Sequence, residues 1–92
     1  TTYLDIYYQL ELLELVKELN DKYQLTIVMV LHDINQAIRY SDHVILMKNG
    51  QIVAEGLPRE VITKEVIKDV YGVNAVFHED EQLGLYMMPL SI

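Results

Sequence analysis

The sequence predicts an α/β fold that forms the back half of a larger α/β domain. Residues 25–31, "LTIVMVL", are short, continuous and rich in β-branched side chains, which is typical of a strand covered on both faces of a parallel sheet. Helix-like patterns precede and follow this strand. Asn49 and Gly50 then join two apolar runs, which favours a β-hairpin. The chain has too few further candidates for parallel neighbours of the strand.

Two helices flank the predicted strand. The first is predicted over residues 5–23, with Asp5 as a plausible N-cap whose carboxylate accepts from free N–H groups. The second is predicted over residues 33–41, where Asp33 followed by Gln36 fits a capping box. His32 therefore lies at the hinge between a buried strand and a helix.

The remainder of the chain reads as short helices and a second hairpin. Pro58 suits the first position of a helix, Thr63 suits an N-cap, and Gly72 suits a C-terminal stop. Residues 73–90 are expected to form a hairpin that turns near residues 79–84. In this pattern His78 lies in an exposed polar turn.

Composition narrows the class of function. The chain has 92 residues, 51% of them hydrophobic, as expected for one small domain or a piece of a larger one. Its formal charge is −7, which argues against a nucleic-acid partner but not against a nucleotide held by a few groups. The absence of cysteine excludes disulfides and thiolate metal sites. The chain opens without Met, which predicts that Thr1 is not the natural start.

His32 is the main candidate for chemistry. Ligands of α/β sheets bind outside the carboxyl ends of the strands, where His32 is predicted to lie, and an imidazole there could donate to an anion or relay a proton. The alternative is a structural histidine that bonds to a backbone carbonyl. A metal site is disfavoured, because His43 and His78 are not at ligand spacing. His43 is expected to be structural.

Three segments in order resemble the C-terminal part of an ABC-transporter ATPase domain. "TTYLD", residues 1–5, resembles the end of the D-loop. "TIVMVLHD", residues 26–33, resembles the strand that ends in the switch histidine, the H-loop. "ILMKNGQIVAEG", residues 45–56, resembles the hairpin that follows. The residues of these segments are most like those of iron–siderophore (ferrichrome-type) importer ATPases, and the resemblance covers residues 1–62.

The resemblance implies a fold and a set of site residues. The fold would be the C-terminal part of a P-loop NTPase domain, with a mixed sheet, flanking helices and a β-hairpin. His32 would contact the γ-phosphate of ATP and help position the attacking water. Thr2, Leu4 and Asp5 would lie at the D-loop seam of the ATPase dimer, and Asp33 would cap a helix near the site.

The resemblance also implies partners. ATP and Mg would be held mainly by parts of the parent protein that lie outside this sequence. The partners would be a second ATPase subunit in a homodimer, a membrane permease and, indirectly, a solute-binding protein, at the cytoplasmic face of the bacterial plasma membrane. The expected division is an ATPase part, residues 1–62, and a helix-and-hairpin extension, residues 63–92.

The sequence lacks several motifs that are typical of the family. It contains no Gly-x-x-x-x-Gly-Lys-Ser/Thr phosphate loop, no Q-loop and no Leu-Ser-Gly-Gly-Gln signature. We therefore expect a fragment of a longer protein that is inactive by itself and that self-associates. Two alternatives are a stand-alone binding or dimerisation module and an ABC ATPase that does not serve a transporter.

Overall fold

The structure is a computed structural model that describes residues 3–92, with side chains from residue 5 onward. The chain divides into two compact units, Thr1–Val30 and Leu31–Ile92. The elements in chain order are α1 (Tyr3–Tyr23), α2 (Ile34–Tyr40), β1 (Val44–Lys48), β2 (Gln51–Gly56), α3 (Pro58–Val61), α4 (Lys64–Tyr71), β3 (Asn74–Asp80) and β4 (Gly84–Ser91). The predicted α/β class is confirmed.

Helix α1 forms most of the first unit. It begins at Tyr3, so Asp5 lies inside the first turn and not at the predicted N-cap position. A carboxylate in the first turn still opposes the positive end of the helix dipole. The helix ends at Tyr23, and Gln24 follows in the left-handed region at φ 56°. Leu13 is buried, with only 3% of its surface exposed.

The predicted strand at residues 25–31 is not formed. No strand is assigned between residues 24 and 33, and Val28 and Val30 are 88% and 84% exposed. A strand of a parallel sheet is held by backbone bonds to its neighbours, and none of the strands that the structure describes pairs with this segment. The prediction was therefore wrong for these residues, although the β-branched composition that prompted it is evident.

This extended segment leads us to expect that the isolated 92-residue chain self-associates. Unpaired backbone groups beside exposed valines are a template for pairing with another chain. Sedimentation velocity should show species larger than the monomer that increase with concentration. The double variant Val28→Thr/Val30→Thr, which keeps the β-branched shape, should shift the distribution toward monomer. A matched pair of exposed residues on the β1–β2 hairpin, Ile45→Thr/Ile52→Thr, should shift it less. A monodisperse monomer for the unaltered chain would contradict the prediction.

The first predicted hairpin is confirmed. Strands β1 and β2 pair antiparallel, with Asn49 and Gly50 between them at φ 53° and 76°. Both values lie in the left-handed region that a two-residue turn of this kind requires, and Asn and Gly tolerate it best. Val44 and Leu46 on β1 are buried. The hairpin therefore supplies one wall of the core of the second unit.

The short helices begin and end where the sequence predicts. Pro58 is the first residue of α3. The Thr63 hydroxyl accepts from the Val66 N–H at 3.2 Å at the start of α4. Gly72 ends α4 in the left-handed conformation at φ 70°. These local signals need no tertiary information, because each one satisfies backbone groups within a turn of the helix end.

Strands β3 and β4 form the second predicted hairpin. Its turn spans residues 81–83, where the backbone N–H groups of Leu83 and Gln82 hold the pKa of the Asp80 carboxyl below its ordinary value. His78 lies in β3 opposite Tyr86 and not in the turn, so its predicted position was wrong, although it is exposed. The hydrogen bond from Arg59, 2.7 Å long, lowers the pKa of Glu79 and links α3 to β3.

One apolar cluster forms the core of the second unit. Ile67 on α4 is fully buried at its centre. The other buried members come from both hairpins and from α3 with its C-cap residue: Val44, Leu46, Val61, Ile62, Ala75 and Met87. Ile34, Ala37 and Ile38 pack against the cluster from α2. Within the second unit, the core thus fixes α2 relative to both hairpins.

Candidate functional site

His32 lies directly before the cap of α2, in the second unit. Its side chain is exposed and makes no hydrogen bond to the residues that the structure describes. The structural alternative, an imidazole bonded to a backbone carbonyl, is therefore not observed. The imidazole has both ring nitrogens available for a ligand.

Asp33 turns the chain from His32 into α2. Its backbone is extended, at φ −96° and ψ 116°, and its Oδ1 accepts from the N–H groups of Asn35 at 2.9 Å and Gln36 at 3.2 Å. Its carbonyl accepts from the Ala37 N–H at 3.1 Å. Two of the first N–H groups of the helix are thus occupied by Asp33. Those two groups are therefore not free to bind an anion.

Asn35 is a residue that sequence reasoning missed. Its side-chain Nδ2 donates to the Met87 carbonyl at 3.0 Å, and its Oδ1 accepts from the Met87 N–H at 2.6 Å. The two residues are 52 positions apart. No short-range spacing rule could pair them, and the adjacent Gln36 carries the same kind of amide, so the sequence does not single out Asn35.

Two of the three D-loop candidates, Leu4 and Asp5, lie in helix α1 of the first unit. Thr2 is outside the described residues, and Leu4 lies in α1 with its side chain outside the described part. Asp5 is exposed in the first turn of α1. Their assignment to a dimer seam stays a prediction.

The described residues contain few groups that suit a nucleotide with its metal. No cluster of three or more His, Asp or Glu residues in that part of the chain is arranged to hold a metal ion. His32 is suited to an anionic oxygen, since an imidazole N–H is a donor. The other groups of a nucleotide site would have to come from residues outside the described part of the chain.

Comparison with known proteins decides the family. No protein-family model matches the chain. It is 46% identical over 84 residues to the ferric enterobactin transport ATP-binding protein of Escherichia coli K12, which is 91% of this chain and 31% of that protein. It is 48% identical over 84 residues to a probable siderophore transport system ATP-binding protein of Bacillus subtilis, again 91% of this chain and 30% of that protein.

The predicted resemblance is therefore confirmed. The chain corresponds to the C-terminal part of an ABC-transporter ATP-binding subunit, and it is most like those of iron–siderophore import. A petrobactin import ATP-binding protein of Bacillus anthracis, 46% identical over 89% of this chain, agrees. The chain spans about three tenths of the length of the curated relatives it matches.

None of the helices that the structure describes is long and apolar enough to cross a membrane.

Proposed function

We propose that this chain is part of the ATP-hydrolysing subunit of an importer, and that the imported solute is an iron–siderophore complex. The parent protein is the longer protein that would include this chain. The observation that carries the proposal is the exposed imidazole of His32, held at a capped turn. It occurs in a chain 46–48% identical to proteins named for ferric enterobactin, petrobactin and siderophore transport.

His32 would act by electrostatics and orientation. Its imidazole would donate to an oxygen of the γ-phosphate of ATP and help position the attacking water. Phosphoryl transfer is catalysed largely by such positioning and charge stabilisation. ATP with Mg²⁺ supplies the transferable phosphoryl group, and the residues that hold most of it would belong to the remainder of the parent protein.

The remaining roles follow from the family resemblance. Thr2, Leu4 and Asp5 would lie at the seam with a second ATPase subunit. The pair of subunits would dock on a membrane permease at the cytoplasmic face of the plasma membrane, and a solute-binding protein would deliver the solute to that permease. The same resemblance is the basis for the proposed boundary between an ATPase part, residues 1–62, and an extension, residues 63–92.

The exposed segment at residues 28–30 favours this proposal over a stand-alone module. Val28 and Val30 are almost fully exposed, while the alternate residues Ile27 and Met29 are half-buried. A module that functions alone would gain stability by covering these valines, at about 25 cal/mol for each Å² of apolar surface removed from water. A partner strand from the rest of the parent protein would cover them.

The proposal is tested by reading the coding sequence upstream of Thr1 and expressing the whole reading frame. We expect it to encode a phosphate loop and a signature segment, and the purified product to hydrolyse ATP. The 92-residue chain alone should show no turnover above buffer. Deletion of the gene should abolish growth on a ferric siderophore as the iron source, and the intact gene should restore it.

Two results would contradict the proposal. One is a start codon directly before Thr1, which would favour the stand-alone binding or dimerisation module. The other is ATP hydrolysis by the parent protein without any defect in siderophore use after gene deletion, which would favour an ABC ATPase with another role.

A further inference from the structure

The side-chain amide of Asn35 forms hydrogen bonds with both backbone groups of one residue in β4, Met87. It donates through Nδ2 to the Met87 carbonyl and accepts through Oδ1 from the Met87 N–H. An amide side chain offers one donor edge and one acceptor edge, which is the pattern that the backbone of a neighbouring strand would present. A paired contact of this kind fixes both distance and orientation between α2 and β4.

The register of the second hairpin shows why Met87 is available. Met87 is opposite Phe77 in the antiparallel β3–β4 pair. In such a pair the N–H and C=O of one residue point to the same side, toward the partner strand or away from it. Both groups of Met87 bond to Asn35, so they point to the free edge of β4. The Met87 side chain is meanwhile buried in the core.

The same asparagine is tied to the residues that carry His32. The backbone N–H of Asn35 donates to the Asp33 carboxylate at 2.9 Å. Ile34, between the two, packs against the core cluster. The segment from Asp33 to Asn35 is thus held at its cap, at its apolar side chain and at its amide, and His32 is attached directly to it.

We infer that Asn35 is a positioning residue for His32, and that through it the C-terminal hairpin sets where the imidazole is presented. This inference rests on the proposed function, since the position of His32 matters for turnover only if His32 meets the γ-phosphate. Asn35 does not itself touch the substrate. Loss of its amide would leave the cap of Asp33 and the packing of Ile34 intact, but it would remove the two hydrogen bonds that fix α2 against β4.

The test is a set of variants of the parent protein assayed for ATP hydrolysis. Asn35→Ala is expected to lower kcat roughly ten- to a hundredfold, because small displacements of a catalytic group have effects of that size. KM for ATP should change less than about twofold, since most of the nucleotide would be held elsewhere. Asn74→Ala is the matched control: that amide also bonds within the β3–β4 hairpin, to Ser91 Oγ at 3.1 Å, without reaching α2. It should leave kcat unchanged.

A double-mutant cycle separates positioning from a general loss of structure. If Asn35 acts through His32, the Asn35→Ala/His32→Ala variant should be no slower than His32→Ala alone. If Asn35→Ala does not fold, Asn35→Asp serves in its place. It is nearly isosteric, keeps an acceptor for the Met87 N–H and loses the donor to the Met87 carbonyl, so kcat should fall in the same direction.

The outcomes distinguish a failure of the role proposed for His32 from a failure of the inference about Asn35. Unchanged kcat in His32→Ala would overturn the role of His32 in the proposed function, and this inference with it. A large loss in His32→Ala with unchanged kcat in the Asn35 variants would overturn this inference alone. Losses that multiply in the double variant would also overturn it, because independent effects cannot pass through the imidazole.

Discussion

Replacement of His32 by alanine in the parent protein is expected to lower kcat for ATP hydrolysis about 10²–10³-fold, the usual effect of removing one preorganised donor from a transition state. ATP binding should be retained, because the proposed contact of His32 is with the reacting phosphate, while other groups would hold most of the nucleotide. The measurement is steady-state phosphate release as a function of ATP concentration, together with nucleotide binding by equilibrium titration. The fall should appear in kcat and kcat/KM alike.

His78→Ala provides the matched control for that experiment. His78 is also exposed, but it lies on β3 with its ring 5.6 Å from that of Tyr86, far along the chain from the turn before α2. Its removal should leave kcat within about twofold. If His32→Ala and His78→Ala hydrolyse ATP equally fast, the assignment of His32 is wrong.

Ile67→Ala is expected to destabilise the second unit by about 2–5 kcal/mol, the range for removing a buried isoleucine and leaving a cavity. Ile67 is 0% exposed at the centre of the core cluster, where both hairpins and α3 converge. A chain of this size has a small reserve of stability, so such a loss approaches the whole free energy of unfolding. Urea denaturation followed by circular dichroism measures the change in midpoint.

The control for the core prediction is Ile45→Ala. The same side chain is removed from the same unit, but Ile45 is 53% exposed on β1. Its midpoint should shift far less, since little buried surface is lost. Equal midpoints for the two variants would show that Ile67 is not at the centre of the core. A variant at Ile67 that has no folded baseline would agree with the prediction.

Local signals explain why much of the fold is predictable. The Asn49-Gly50 turn, the Thr63 cap and the Gly72 stop each satisfy backbone geometry or hydrogen bonds within a few residues. The structure has them where the sequence places them. Asp33 caps α2 for the same reason. The site histidine could be singled out because such a cap marks the residue before it as the end of one segment and the start of another.

The misassigned strand shows where that reasoning stops. The composition of residues 25–31 is typical of a buried strand, yet a parallel strand exists only when neighbours bond to it, and none does within the described chain. The helix start was misplaced by a smaller margin. Asp5 can stabilise the first turn from inside it as well as from the cap, so its identity does not fix the boundary.

Spacing and turn chemistry are enough to predict the helices of the second unit and both hairpins, and the resemblance of three motifs is enough to predict the family. The bonds of the Asn35 amide to Met87, and the absence of a bond from His32 to the described residues, are evident only in the folded chain. The physical reason is that these outcomes depend on which groups remain unpaired after the core has closed. Residues 52 positions apart meet only then.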